Sequence, residues 1–176
     1  DYLSAFGLSS KDAADFCNYM AATSTSTNTT VEQLAEAYNQ CASAASEFGV
    51  SQSFLNTQLG ILANSGKKSG PAGVVLKNMY TNLLSPPSDE AFAAYKEWGV
   101  YVGDKLNPAL TRTNELTGEQ QLNGEALTKQ LQKQYKAYTN VSDKAKMLKM
   151  IYGKLALSGG AILLGADEFD YESLEL

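Results

Sequence analysis

The sequence predicts an all-α fold, a compact domain of about seven to eight short helices with an irregular or small β-hairpin excursion around residues 100–124. Apolar residues recur every three or four positions along most of the chain, as they do on one face of a helix. Capping residues precede these stretches and glycines follow them. The 176 residues, 44% hydrophobic and 19% charged, suffice for a buried core.

The first helix is predicted over residues 10 to 22, with Ser9 or Ser10 as its cap. Short hydroxyl and amide side chains fill residues 23–28 and compete for backbone hydrogen bonds. We therefore expect a polar connecting loop there. The expected inward face of the helix consists of Ala13, Phe16, Cys17 and Met20.

The second helix starts with a capping-box pattern, in which Thr29 is followed three residues later by Glu32. Gly49 supplies the left-handed residue that ends it. Ser51 then caps a third helix, which Gly66 ends in the same way. The apolar stripe of the second helix is Val31, Leu34, Ala35, Tyr38, Cys41, Ala42, Ala45 and Phe48, and that of the third is Phe54, Leu55, Leu59, Leu62 and Ala63.

A fourth helix opens at Gly70-Pro71, because proline is pre-organised for the first helical position. Its apolar residues lie on two sides, so it is predicted to be the most buried element. Pro86 and Pro87 end this segment. Ser88 caps a short fifth helix through Phe92, Tyr95 and Trp98 that Gly99 closes.

Residues 100–124 break the helical pattern, since Tyr101 and Val102 favour strand and glycines and Pro108 follow. Two more helices come next, one along Leu127, Leu131, Tyr135 and Tyr138 and one that Ser142 caps and Gly153 ends. Residues 155–166 predict a buried terminal helix whose small residues let another backbone approach. We expect one domain over residues 1–167 and an acidic tail at 168–176 that is disordered or docked on a neighbour.

The amino-acid composition argues against several classes of function. The net charge of -5 argues against stable nucleic-acid or anionic-membrane binding, which needs clustered Lys and Arg. The absence of histidine removes the commonest general base and zinc ligand. Cys17 and Cys41 are expected to be buried, reduced thiols. No signal peptide is evident, and the longest apolar segment is about half of the roughly 20 residues that span a bilayer.

Three constellations invite a chemical interpretation. Residues 66–70, Gly-Lys-Lys-Ser-Gly, resemble a phosphate loop, but a helix precedes them and Lys68 stands where Ser or Thr is needed, so a helix-to-helix turn is favoured. Asp12, Asp15, Asp89 and Glu90 fall in first turns of helices, where the helix dipole accounts for them. Asp167, Glu168, Asp170 and Glu172 lack the spacing of a calcium loop. We predict no catalytic, cofactor-binding or metal-binding residues.

Ten tyrosines are the most distinctive aromatic feature. Most are expected to be buried with a hydrogen-bonded hydroxyl, although tyrosine and the single tryptophan, Trp98, also anchor protein interfaces. The sequence leaves these two uses open. The tyrosines on or beside apolar faces are Tyr38, Tyr80, Tyr95, Tyr135, Tyr138 and Tyr152.

Several phrases in order resemble the core region of phage tail tape measure proteins over residues 6 to 167. They are GLS at 7–9, TVEQLAEA at 30–37, EFGVS at 47–51 running on to LGILANSG at 59–66, residues 72–78 ahead of LLSP at 83–86, and IYGKLALSG at 151–159. Residues 67–71 and the expanded segment 106–124 depart from the family pattern.

The resemblance implies a structural, non-enzymatic fragment of a tape measure protein that acts in tail assembly and tail length determination. The implied partners are tube, tail tip or hub proteins and tail assembly chaperones, and the resemblance leaves self-association open. The implied locations are the tail tube lumen and, during assembly, the host cytoplasm.

The glycine and proline interruptions argue against a rod of extended helix, so we expect a globular module of the ruler protein. Rearrangement into extended helix inside the tube is a further hypothesis. Two alternatives remain: a peptidoglycan-hydrolase-type domain, for which Glu32 or Asp89 would be the carboxylates to test, and a generic helical adaptor.

Overall fold

The computed structural model describes residues 12–166, in which helices account for most of the chain and strands form only small hairpins. This confirms the predicted all-α class and the excursion around residues 100–124. The described α-helices are α1 (Ala13–Ser26), α2 (Val31–Phe48), α3 (Gln52–Asn64), α4 (Ser69–Leu84), α5 (Asp89–Glu97), α6 (Gly124–Ala137), α7 (Val141–Tyr152) and α8 (Leu157–Gly165). Short 3-10 helices cover Pro108–Leu110 and Lys154–Ala156.

The closest helix pair is α2 with α4, and the two helices run parallel. Gly73 lies beside the Ala37 carbonyl near the start of the pair, and the ring of Phe48 stacks on that of Tyr80 near its end, 4.6 Å between centroids. A Cβ on Gly73 would lie 2.2 Å from the Ala37 carbonyl oxygen. Only glycine permits this approach.

The most buried helix is α3, and the prediction that α4 holds this position is wrong. Every residue of α3 from Phe54 to Ala63 is buried, because other helices cover it on several sides. Its polar residues Asn56, Thr57 and Gln58 are buried with it. Sequence reasoning favoured α4 because its apolar residues lie on two sides.

Most predicted helix boundaries are confirmed. Ser51 caps α3 by accepting a hydrogen bond from the Phe54 N–H, and Ser88 caps α5 in the same way. Gly49, at φ +81°, ends α2 as predicted. The left-handed conformation lets its N–H reach the last carbonyls of the helix.

Two predicted caps are wrong by one or two residues. The capping box of α2 joins Thr30 and Gln33, not Thr29 and Glu32, because Gln33 returns the bond to the Thr30 N–H at 3.1 Å. The cap of α7 is Asn140, whose side chain accepts from the Asp143 N–H at 2.8 Å. Ser142 lies inside the helix.

The predicted loop after residue 22 is also partly wrong, because α1 continues to Ser26. Thr23, Ser24, Thr25 and Ser26 each donate their hydroxyl to a carbonyl three or four residues earlier. The hydroxyls are satisfied by the helix itself and do not break it. The predicted start at Ser10 lies outside the described residues.

The excursion consists of two small antiparallel hairpins. Strands β1 (Tyr101–Val102) and β2 (Lys105–Leu106) form the first, and β3 (Thr111–Thr113) and β4 (Gln120–Leu122) form the second. Arg112 donates to the Gly49 carbonyl at 3.1 Å and ties the second hairpin to the α2–α3 turn. Leu110 and Leu122 join the core.

The terminal helix is shorter than predicted, since residues 154–156 form a separate 3-10 turn and Leu155 is 99% exposed. The small-residue face is present, but side chains fill the space beside it where a backbone was expected. Gly159 packs on Val75 and Gly160 on the ring of Tyr152. The predicted acidic tail, including the carboxylates at 167–172, lies outside the described residues.

Within residues 12–166 no single helix has the length and apolarity to cross a membrane. Helix α7 and the segment Lys154–Gly165 meet these criteria only as a pair, and they are bent by 114° relative to each other.

Candidate interaction surfaces

The carboxylates considered for acid-base chemistry lie at helix starts. Asp15 and Glu32 occupy the first turns of α1 and α2, and Asp89 and Glu90 the first turn of α5. Each faces the positive end of a helix dipole, which stabilises a negative charge there. Asp12 and Asp15 also line one cleft together with Arg112.

The lysine-rich segment at 66–70 is the predicted turn between two helices. Helix α3 ends at Asn64, Gly66 adopts φ +90°, and Lys68 is the residue before α4. The Lys67 N–H donates back to the Leu62 carbonyl at 2.8 Å, which completes the end of α3.

The two cysteines differ, and the prediction that both are buried is wrong for Cys17. Both thiols are free, but Cys17 is exposed on α1 whereas Cys41 is fully buried on α2. Burial raises the pKa of the Cys41 thiol to about 12, so it stays protonated and unreactive at neutral pH. Among the described residues no group of three potential metal ligands comes together.

The structure separates the two uses left open for the aromatic residues. Tyr38, Tyr80, Tyr95 and Tyr152 are fully buried, and Trp98 is buried while donating its indole N–H to the Tyr138 hydroxyl at 2.9 Å. Burial raises the pKa of Tyr38 and of Tyr95. These aromatic residues hold the core together and are not available as anchors for a partner.

The hydroxyls of the four fully buried tyrosines donate to acceptors on neighbouring helices, that of Tyr152 to the Met79 sulfur of α4. Tyr38 donates to Asn56 and Tyr80 to Gln58, so two bonds link α2 and α4 to the buried polar residues of α3. Tyr95 donates to the Met150 carbonyl and ties α5 to α7. The amide nitrogens of Asn56 and Gln58 have no hydrogen-bond partner among the described residues.

Three open grooves of about 400 Å³ each lie on the surface formed by residues 12–166. One lies between the start of α1, the α2–α3 turn and the second hairpin, and is mixed polar with Asp12, Asp15 and Arg112. A second lies between α5 and α7. The third, which we call the basic-rimmed groove, is mainly apolar and is lined by Lys67, Gly70, Pro71, Val74, Val75, Leu155 and Ala156.

The second hairpin carries an exposed apolar residue at its tip. Leu116 is 97% exposed between Glu115 and Thr117. The tip is held in shape, because the Asn114 side chain accepts from the N–H groups of Leu116 and Thr117, and the Gly118 N–H donates to the Asn114 carbonyl. Sequence reasoning did not single out Leu116, because a single leucine outside a periodic stretch gives no signal, and it assigned Leu155 to a buried helix.

Comparison with known families identifies the class of protein. The family model of phage-related minor tail proteins matches residues 1–153. The chain belongs to the phage-related minor tail protein family. No curated protein and no solved structure matches it.

The family assignment places this minor tail protein in the virion tail and favours a structural role over an enzymatic one. It agrees with the phage-tail part of the sequence resemblance. The other proteins of the tail are therefore its expected partners.

Proposed function

We propose that this minor tail protein is a compact module of a tail tape measure protein. In this role it contributes to tail assembly and tail length determination by contacting other tail proteins. The observation that carries the proposal is the family match together with the ordered tape-measure-like phrases, which from residue 30 onward fall on helices and their ends. The proposed partners are tube, tip or hub proteins and assembly chaperones, in the tube lumen and, before that, in the host cytoplasm.

The helix lengths support a globular module over an extended rod. The longest of the described helices, α2, has 18 residues and so extends about 27 Å at 1.5 Å per residue. As one continuous helix, residues 12–166 would extend about 230 Å. A folded body of this size is about 40 Å across.

Duplication of the module inside the complete tail gene product tests the proposal. We expect phages that carry a second copy of residues 12–166 to assemble longer tails, measured by electron microscopy of purified particles. An increase of about 40 Å corresponds to a module that stays folded, and about 230 Å to one that extends. Tails of unchanged length would show that the module does not contribute to tail length determination.

Chemical activity is tested separately. The proposed structural role predicts no clearing of cell-wall substrate in a zymogram of the purified chain. If clearing is observed and disappears in Glu32→Gln or Asp89→Asn, the hydrolase alternative replaces the structural one.

A further inference from the structure

The hairpin tip and the basic-rimmed groove are complementary in polarity and in charge. The tip presents one apolar side chain, Leu116, with Glu115 before it and Glu119 three residues after it. The groove presents apolar walls from Pro71, Val74 and Leu155. An apolar protrusion flanked by carboxylates therefore matches an apolar recess flanked by lysines.

Lysines are concentrated in the chain segments that line the groove. Lys67 lines the groove, and Lys68 and Lys154 are the chain neighbours of its lining residues Lys67 and Leu155. The two chain segments that line the groove, residues 67–75 and 154–156, carry three lysines and no Asp or Glu. In a chain of net charge -5 this is a basic face that favours an acidic partner.

The tip and the groove lie at opposite ends of the α2–α4 pair. The groove is formed by the first turns of α4, level with Ala37 of α2. The second hairpin packs at the other end, where Leu122 and Arg112 contact Gly49 just after α2. Because α2 is about 27 Å long, the tip lies far from the groove of its own molecule, so a contact between them requires a second molecule.

We propose that two copies of this chain associate head to tail, with Leu116 of one copy seated in the basic-rimmed groove of the next. The contact is heterologous, because it joins two different surfaces, so each copy keeps one free tip or one free groove for a further copy. The hairpin's internal hydrogen bonds fix Leu116 before binding, which lowers the entropy lost on association. The inference is independent of the length-determining role.

Analytical ultracentrifugation of the full chain over a concentration series tests the contact. The wild type is expected to sediment progressively faster as concentration rises towards about millimolar, as a small interface requires. Leu116→Ser and Leu155→Ser should each weaken association roughly 10- to 100-fold, the effect of losing one buried leucine. Both side chains are almost fully exposed, so neither change should disturb folding.

Val141→Ser is the matched control, because Val141 is 83% exposed at the start of α7, outside the groove and the tip. It should associate like the wild type. Association of Leu116→Ser and Leu155→Ser that equals that of the wild type would overturn the proposal, and so would a wild type that stays monomeric throughout.

Mixing the two variants distinguishes a head-to-tail contact from any other self-association. Leu116→Ser keeps an intact groove and Leu155→Ser keeps an intact tip, so an equimolar mixture should form dimers and nothing larger. Lys67→Glu should weaken association, and adding Glu115→Lys in the same chain should restore it, because the opposed charges are exchanged. A mixture that stays monomeric contradicts the head-to-tail contact. So does a double charge variant that associates more weakly than Lys67→Glu.

Discussion

Gly73→Ala tests the close contact on which the helical body is built. The added Cβ would lie 2.2 Å from the Ala37 carbonyl oxygen and 2.8 Å from the Cβ of Gln40. Ordinary carbon contacts need about 3.5 Å, so α2 and α4 must separate by roughly 1 Å, and such a gap removes a quarter to a half of the dispersion energy along the interface. Overpacking of this kind costs about 1–3 kcal/mol.

The replacement also has a favourable component, because alanine is about 1 kcal/mol better than glycine inside a helix. The obstructing atom belongs to the backbone of α2 and cannot rotate away, so overpacking should exceed this gain. We expect a net loss of up to about 2 kcal/mol in the free energy of unfolding. For a domain of this size the melting temperature should fall by up to roughly 8 °C, measured by circular dichroism.

Gly165→Ala is the control, since its Cβ would meet only the Tyr135 ring at the ordinary distance of 3.8 Å. It should leave stability unchanged or raise it slightly. If Gly73→Ala proves as stable as Gly165→Ala, the close parallel contact of α2 and α4 is wrong, and with it the argument for glycine at this position.

Three further predictions concern buried polar groups, caps and thiols. Tyr38→Phe should lower stability by about 1–3 kcal/mol in denaturant unfolding, because the buried Asn56 oxygen loses its donor, and adding Asn56→Leu should recover most of the loss. Asn140→Ala should cost about 1 kcal/mol whereas Ser142→Ala should be near neutral, which inverts the order expected from sequence. Stability should fall as the pH rises from about 9 towards about 12, because the buried Cys41 thiol ionises less readily than in the unfolded chain, and Cys41→Ala should make this slope shallower in pH-dependent melting.

Helix periodicity and stop residues were sufficient to predict the fold class, and the reason is local. Gly49, Gly66, Gly99 and Gly153 all adopt positive φ at or just after a helix end, a conformation that few other residues tolerate. A helix end of this kind depends on the residue itself and can therefore be predicted without the tertiary structure. The same applies to Ser51 and Ser88.

The predictions of burial are wrong where packing against other helices determines which side of a helix is covered. Asn56 and Gln58 suggest an exposed side for α3, yet the tyrosines of α2 and α4 donate hydrogen bonds to them and allow the helix to be central. Cys17 fits the apolar period of α1 but faces outward. Each outcome depends on which helix lies opposite, and the spacing along one helix does not contain that information.

The interaction surfaces were beyond sequence reasoning for the same reason. The groove joins Lys67 and Pro71 to Leu155, which lie more than 80 residues apart along the chain. Leu155 belongs to the apolar segment 155–166 and was assigned to a buried helix with the rest of it. Its exposure follows from the separate 3-10 turn after Gly153, where φ is +81°.

The glycines and prolines that end the helices also determine whether the module stays folded or becomes one extended helix in an assembled tail. Conversion to one continuous helix would place Pro71, Pro86, Pro87 and Pro108 in helix interiors at about 3 kcal/mol each. The four stop glycines add about 1 kcal/mol each, for a total of roughly 16 kcal/mol, which matches or exceeds the whole stability of a typical domain. The core would be lost as well, so the extended form requires compensating contacts with the tube along its full length. We therefore expect the duplicated module to lengthen tails by about 40 Å, and an increase near 230 Å would show that tube contacts outweigh this opposition.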